Sequence, residues 1–199
     1  RQENGTITTN ANKKICTTKT KTTQTDADYV KITVQVWLEG WAILKTGETT
    51  GENPGTGILI GHTTGTTVIT NCNITDSTIL AQSMNVGGFV GHVNANSALR
   101  ISDCSTNASV KGNYNVGGFV GCIYQSDELV SIENCTNTGN IATNGSYNYG
   151  GIVGYIGIDR NVEIKNCINS GTITPSSGSQ NPDNCGGIVG YQDKKFNIS

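Results

Sequence analysis

The residues able to do chemistry are few: seven cysteines, two histidines and a thin scatter of carboxylates. His62, His92 and Cys122 stand 30 residues apart, each just after the same glycine-bounded motif. Imidazole and thiolate are zinc ligands, so three of them stacked on one line form a candidate zinc set. The set has no fourth protein ligand, the separation along such a line is long, and Tyr155 and Tyr191 continue it. A plain stack of mid-sized side chains is the favoured reading, and no metal or other cofactor is expected.

Cys72, Cys104, Cys135 and Cys167 each close an Ile-x-x-Cys motif. Equivalent positions line up in stacked repeats, so these four read as an inward core ladder of reduced thiols. Their parallel Cβ vectors suit a disulfide poorly. Cys16, Cys122 and Cys185 break the pattern. They are the disulfide candidates, with Cys16 bonded to Cys122 or Cys185 and the N-terminal segment pinned as a result. An odd count leaves one thiol free or bonded to another subunit.

Catalytic arrangements are not visible. No Ser-His-Asp order stands out, and Glu128, Glu133, Asp159 and Glu163 fall at dissimilar positions. The glycine motif lacks the Lys-Ser/Thr ending of a phosphate loop. The chain is expected not to be an enzyme. A polysaccharide-active protein is a remote alternative on fold analogy alone. Ice binding is equally remote, because Thr63, Thr64, Thr66 and Thr67 do not recur at one register.

The elements that position these residues come from a repeat. Gly87-Gly88-Phe89-Val90-Gly91 returns at 117–121, 150–154 and 186–190, with a degenerate first copy at 57–61. The last glycines are 30, 30, 33 and 36 residues apart, and Asn85, Asn115, Asn148 and Asn184 stand two places before the pairs. Ile69, Ile101, Ile132 and Ile164 open the cysteine motif, and Ile79, Val110, Ile141 and Ile173 follow it. Abundant Thr, Val and Ile favour strands over helices. Three short strands per repeat, turned by Gly and Asn, give one coil that cannot bury its apolar points until others stack on it.

These residues resemble the GLUG-type repeat, Gly-Gly-[Phe/Ile/Leu]-Val-Gly followed by Ile-x-Asn-Cys-x-Asn-x-Gly-x-Ile, over about residues 56–199. The first copy has lost its paired glycine and upstream Asn. The resemblance implies an exported repeat protein, of the kind found on bacterial and some protist surfaces, without chemistry in the repeat itself.

The expected fold is all-β, a single-stranded β-solenoid of about four and a half coils of 30–36 residues. An N-terminal arm and capping strand fill residues 1–50. The repeats fill 51–199, at about 56–84, 85–114, 115–147, 148–183 and 184–199. Residues 30–38 alternate as one strand until their end. Two readings of the first fifty residues stay open: a cap over the first coil, or an arm of residues 1–28 that packs on another subunit.

Net charge is −2 and 14% of residues are charged, so no footprint for nucleic acid appears. No apolar run reaches the roughly 18 residues of a membrane span. The chain opens Arg1-Gln2-Glu3 and its one Met is Met84, the pattern of a processed chain or a fragment. Asn4, Asn73, Asn107, Asn134, Asn144 and Asn197 begin N-glycosylation sequons. The expected role is an extracellular, cell-surface structural protein whose partners are copies of itself. The last repeat stops without a polar cap, and head-to-tail stacking of such ends builds filaments. The alternative is a fragment of an adhesin that binds glycans or a host surface through loops and exposed Tyr124, Tyr147 and Tyr149.

Overall fold

The computed structural model describes residues 55–63, 65–81, 84–95, 97–124, 128–143, 145, 147–157, 161–175 and 184–193, with the backbone of 29–33 and 37–38. Every strand pairing among them is parallel, and the chain winds around one core so that up to five strands stack in a sheet. The first coil holds β1 (Tyr29–Thr33), β2 (Trp37–Leu38), β3 (Thr56–Gly57) and β4 (Ile60–Thr63). The second holds β5 (Thr66–Thr70), β6 (Asn73–Ile74), β7 (Thr78–Leu80), β8 (Met84–Gly87) and β9 (Val90–Val93). In the third are β10 (Ala98–Ser102), β11 (Ser105–Thr106), β12 (Ser109–Gly112), β13 (Tyr114–Gly117) and β14 (Val120–Ile123). The fourth carries β15 (Val130–Glu133), β16 (Thr136–Asn137), β17 (Ile141–Thr143), β18 (Tyr149–Gly150) and β19 (Val153–Ile156). The fifth carries β20 (Val162–Lys165), β21 (Ile168–Asn169), β22 (Ile173–Thr174), β23 (Cys185–Gly186) and β24 (Val189–Gln192).

A coil therefore has up to five strands, not three. The physical reason lies in the corners. Asn71, Asp103, Asn134 and Asn166 take left-handed φ values of 54, 56, 53 and 51°, a region asparagine and aspartate tolerate. Each divides the cysteine motif into two strands facing different walls. The paired glycines bend the backbone again between β8 and β9 and at the equivalent points.

Residues 30–38 do not pair as one strand. β1 pairs with β5 and β2 with β6, so the alternating stretch enters two sheets as part of the first coil. The rest of residues 1–50, including Asn4, Cys16 and the arm of 1–28, lies outside the described residues.

Stacking puts like on like. Ile69, Ile101, Ile132 and Ile164 share one register, and all four are buried. Val90, Val120, Val153 and Val189 share another. Phe89 lies flat on Phe119, with ring centroids 4.6 Å apart and planes 2° from parallel. Such rows explain the β-branched bias: one side-chain shape is repeated along a dry, continuous core.

Truncating this row removes a fully buried ring. Phe119→Ala should cost about 3–5 kcal/mol, read as a lowered midpoint in urea unfolding. Gly118→Ala should destabilise by roughly 1–3 kcal/mol or more, because its Cβ would fall 2.2 Å from the Gly151 carbonyl oxygen.

Candidate functional site

The last coil is paired on one side only among the described residues. Its core positions show this: Ile173, Ile188 and Val189 are partly exposed, whereas Ile141, Ile152 and Val153 one coil earlier are buried. The backbone shows it more sharply. A Cβ at Gly88, Gly118 or Gly151 would lie 2.1, 2.2 or 2.1 Å from the carbonyl oxygen of the next coil, while Gly187 at the same position meets nothing within 4 Å. Among the described residues, the slot that another coil fills elsewhere is open beside Gly187.

Amide rows run up to the same face. Asn115 Nδ2 donates to Asn85 Oδ1 at 2.8 Å, Asn148 to Asn115 at 2.7 Å and Asn184 to Asn148 at 2.9 Å. Asn85 and Asn115 have φ values of 59 and 50°. A second row lies deeper. Asn137 Oδ1 accepts the Gly139 N–H at 3.0 Å, and its Nδ2 donates to the Gly139 carbonyl at 3.1 Å and to Asn169 Oδ1 at 2.9 Å. Asn137 is buried, and its amide is satisfied within the stack. Asn-x-Gly was visible in the sequence as a turn signal; its burial was not, because polarity alone argues for the surface.

The family model of the GLUG motif matches residues 112–142. The chain carries the GLUG motif. No curated protein and no solved structure matches it. The matched stretch runs from the end of β12 to the start of β17, one full circuit of the solenoid. GLUG repeats occur in secreted or surface proteins, so repeat and fold together are those of a surface-type repeat protein. Among the described residues no helix is long and apolar enough to cross a membrane.

On the wall beside the glycine motif, the stacked coils bring His62, His92, Cys122, Tyr155 and Tyr191 into one register, as their spacing indicates. The two imidazoles meet edge to face with centroids 5.2 Å apart. His92 and Cys122 are buried. Burial lowers the His62 pKa and pushes the Cys122 thiol far up, so both favour their neutral forms. Among the described residues no group of three His, Cys, Asp or Glu side chains is placed to hold a metal ion.

The motif cysteines line up at the corner between the first two walls of each coil. Cys72, Cys104 and Cys135 are buried and Cys167 is half-buried. Each thiol donates to the carbonyl two residues earlier: Cys104 to Ser102 at 3.1 Å, Cys135 to Glu133 at 3.1 Å and Cys167 to Lys165 at 3.3 Å. Hydrogen bonding with Cys104 first, then with Cys167 and by burial, drives the Cys135 thiol up. Cys185 is exposed in β23, and Cys16 lies outside the described residues.

Tyr124, Tyr155 and Tyr191 form a row on three successive coils, with centroids 6.4 and 6.0 Å apart. Tyr155 donates its hydroxyl hydrogen to Asp193. Tyr147 is exposed as expected, but Tyr149 is fully buried. Tyr149 pairs with Val116, an inward position, so its ring fills the core. Its hydroxyl accepts from Thr143 at 2.8 Å and donates to the Gly145 carbonyl at 2.9 Å. Tyrosine is tolerated inside because that polar tip has partners.

Of the sequon asparagines, Asn107 and Asn134 are exposed and Asn73 is half-buried. Asn4, Asn144 and Asn197 lie outside the described residues. Asn107 Nδ2 donates to Asp76 at 3.1 Å and Asn134 Nδ2 to Asp103 at 3.0 Å. On the outer wall Glu133 accepts from Ser131 at 2.6 Å, and Glu163 pairs with Lys165 at 2.8 Å.

Thiolate access decides cysteine reactivity. Under reducing, native conditions an alkylating reagent should modify Cys185 well before Cys104, Cys122 and Cys135, which should react only on unfolding. Peptide mass spectrometry against time resolves the order.

Proposed function

We propose that this protein is a non-enzymatic structural element of a cell surface or secreted fibre, extended by stacking the first coil of one copy on the last coil of another. The observation that carries this reading is the fifth coil, uncovered among the described residues, where Gly187 keeps the approach that Gly88, Gly118 and Gly151 give to the next coil. The first coil offers matching strands. By register, Val30 and Ile32 of a second copy would lie on Val162 and Ile164, and Ile60 on Val189. Such a contact is heterologous and does not close on itself, so it propagates. Export follows from the same reading, which makes the exposed Asn107 and Asn134 attachment points in a cell that glycosylates asparagine.

A second reading draws on the tyrosine row. Three rings on successive coils, amphipathic and partly exposed, suit adhesion to the faces of sugar rings in a surface glycan. Tyr191→Ala should then weaken retention on immobilised polysaccharide; unchanged retention removes this reading.

The stacking reading is tested with Gly187→Ala. Among the described residues the added methyl meets nothing within 4 Å, so the fold and its unfolding midpoint should be unchanged. In an assembly it would strike the carbonyl of an incoming coil. Sedimentation velocity should show wild-type oligomers growing with concentration and the variant remaining monomeric. Equal sedimentation of the two proteins would overturn the proposal.

A further inference from the structure

Tyr114 and Tyr147 stand apart from the core and from the other tyrosine row. They sit on adjacent coils at one corner, 39% and 42% exposed, with ring centroids 5.3 Å apart and planes at 27°. Tyr114 belongs to β13 and is in register with exposed Met84 of the coil before it. Tyr147 comes from the longer loop between β17 and β18, and its φ is 110°. That conformation is an outlier for a bulky side chain. It persists only where the surroundings over-determine it. Here Thr143 Oγ1 accepts the Gly145 N–H at 2.9 Å, and the buried Tyr149 hydroxyl binds the Gly145 carbonyl. A strained backbone anchored this way holds one phenol beside another at the surface.

We propose that Tyr114 and Tyr147 are an oxidative cross-linking site, joined as dityrosine by hydrogen peroxide acting through a one-electron oxidant of the haem-peroxidase class. Each phenol gives up one electron and its hydroxyl proton to become a phenoxyl radical. The radicals couple through ring carbons ortho to oxygen, forming one carbon–carbon bond. The two hydrogens on those carbons move to the oxygens and restore both phenols. Peroxide takes up the two electrons and two protons and leaves as two waters. The product ties the third coil to the fourth across the loop and opposes local opening of that part of the stack.

The other tyrosines with described side chains are worse placed. Tyr149 is buried, and the Tyr124–Tyr155 and Tyr155–Tyr191 separations are longer. Partial burial first, then the hydrogen bond to Asp193, raises the Tyr155 pKa and keeps its proton on, which makes its oxidation harder.

The test uses the full chain with hydrogen peroxide and a haem peroxidase, and the monomer is isolated afterwards by gel filtration. The expected monomer shows dityrosine fluorescence, a mass lower by two hydrogen atoms, and a cross-linked peptide pair containing Tyr114 and Tyr147. Tyr114→Phe and Tyr147→Phe keep the ring stack and the circular dichroism spectrum, yet each should reduce the fluorescence to background. Tyr124→Phe should leave it unchanged. Absence of that peptide pair from the oxidised monomer, or full fluorescence in Tyr147→Phe, would overturn the proposal.

Discussion

Each coil of this protein hydrogen-bonds through its backbone to the coils beside it, and everything else is arranged around keeping that approach close. Phe89 N–H donates to the Phe119 carbonyl at 3.0 Å, Phe119 to Ile152 at 2.9 Å and Ile152 to Ile188 at 2.9 Å. These bonds lie beside the glycine position where a single methyl group would strike the neighbouring carbonyl. Because a strand of one coil finds its partners one circuit away, no coil is stable by itself. Stability is a sum over interfaces between neighbours.

That constraint explains why polar residues sit comfortably inside. A buried amide normally costs free energy unless its donors and acceptors are used. In a parallel stack an asparagine meets an asparagine, and the amide N–H of one serves the carbonyl of the other, as in the row from Asn85 to Asn184. Like-on-like placement also turns one sequence change into a local event. The substitution of Val116 by Tyr149 at the same inward position is absorbed by Thr143 at the end of β17 and Gly145 of the loop that follows.

Much of this was legible in the residues. The glycine motif, the cysteine motif and their spacing fix the coil length and the rows of Ile, Val, Phe and Cys, and the line from His62 to Tyr191 holds in the structure. Strand number was not legible. Periodicity registers alternation but not a corner, so the left-handed turns at Asn71, Asp103, Asn134 and Asn166 add strands that it does not separate. Exposure of tyrosines was also out of reach: Tyr147 and Tyr149 are two residues apart, yet one is at the surface and one in the core. The difference comes from register with Val116, which a sequence containing a longer loop does not reveal. The pairing of Tyr114 with Tyr147 depends on the same loop.

The most direct test of the account is cryo electron microscopy of the purified chain across a range of concentrations. Coil-on-coil addition at the open fifth coil predicts unbranched filaments. With five coils per subunit at about 4.8 Å each, their axial repeat should be roughly 24 Å. Uniform single particles at every concentration, with the fifth coil still uncovered, would contradict it.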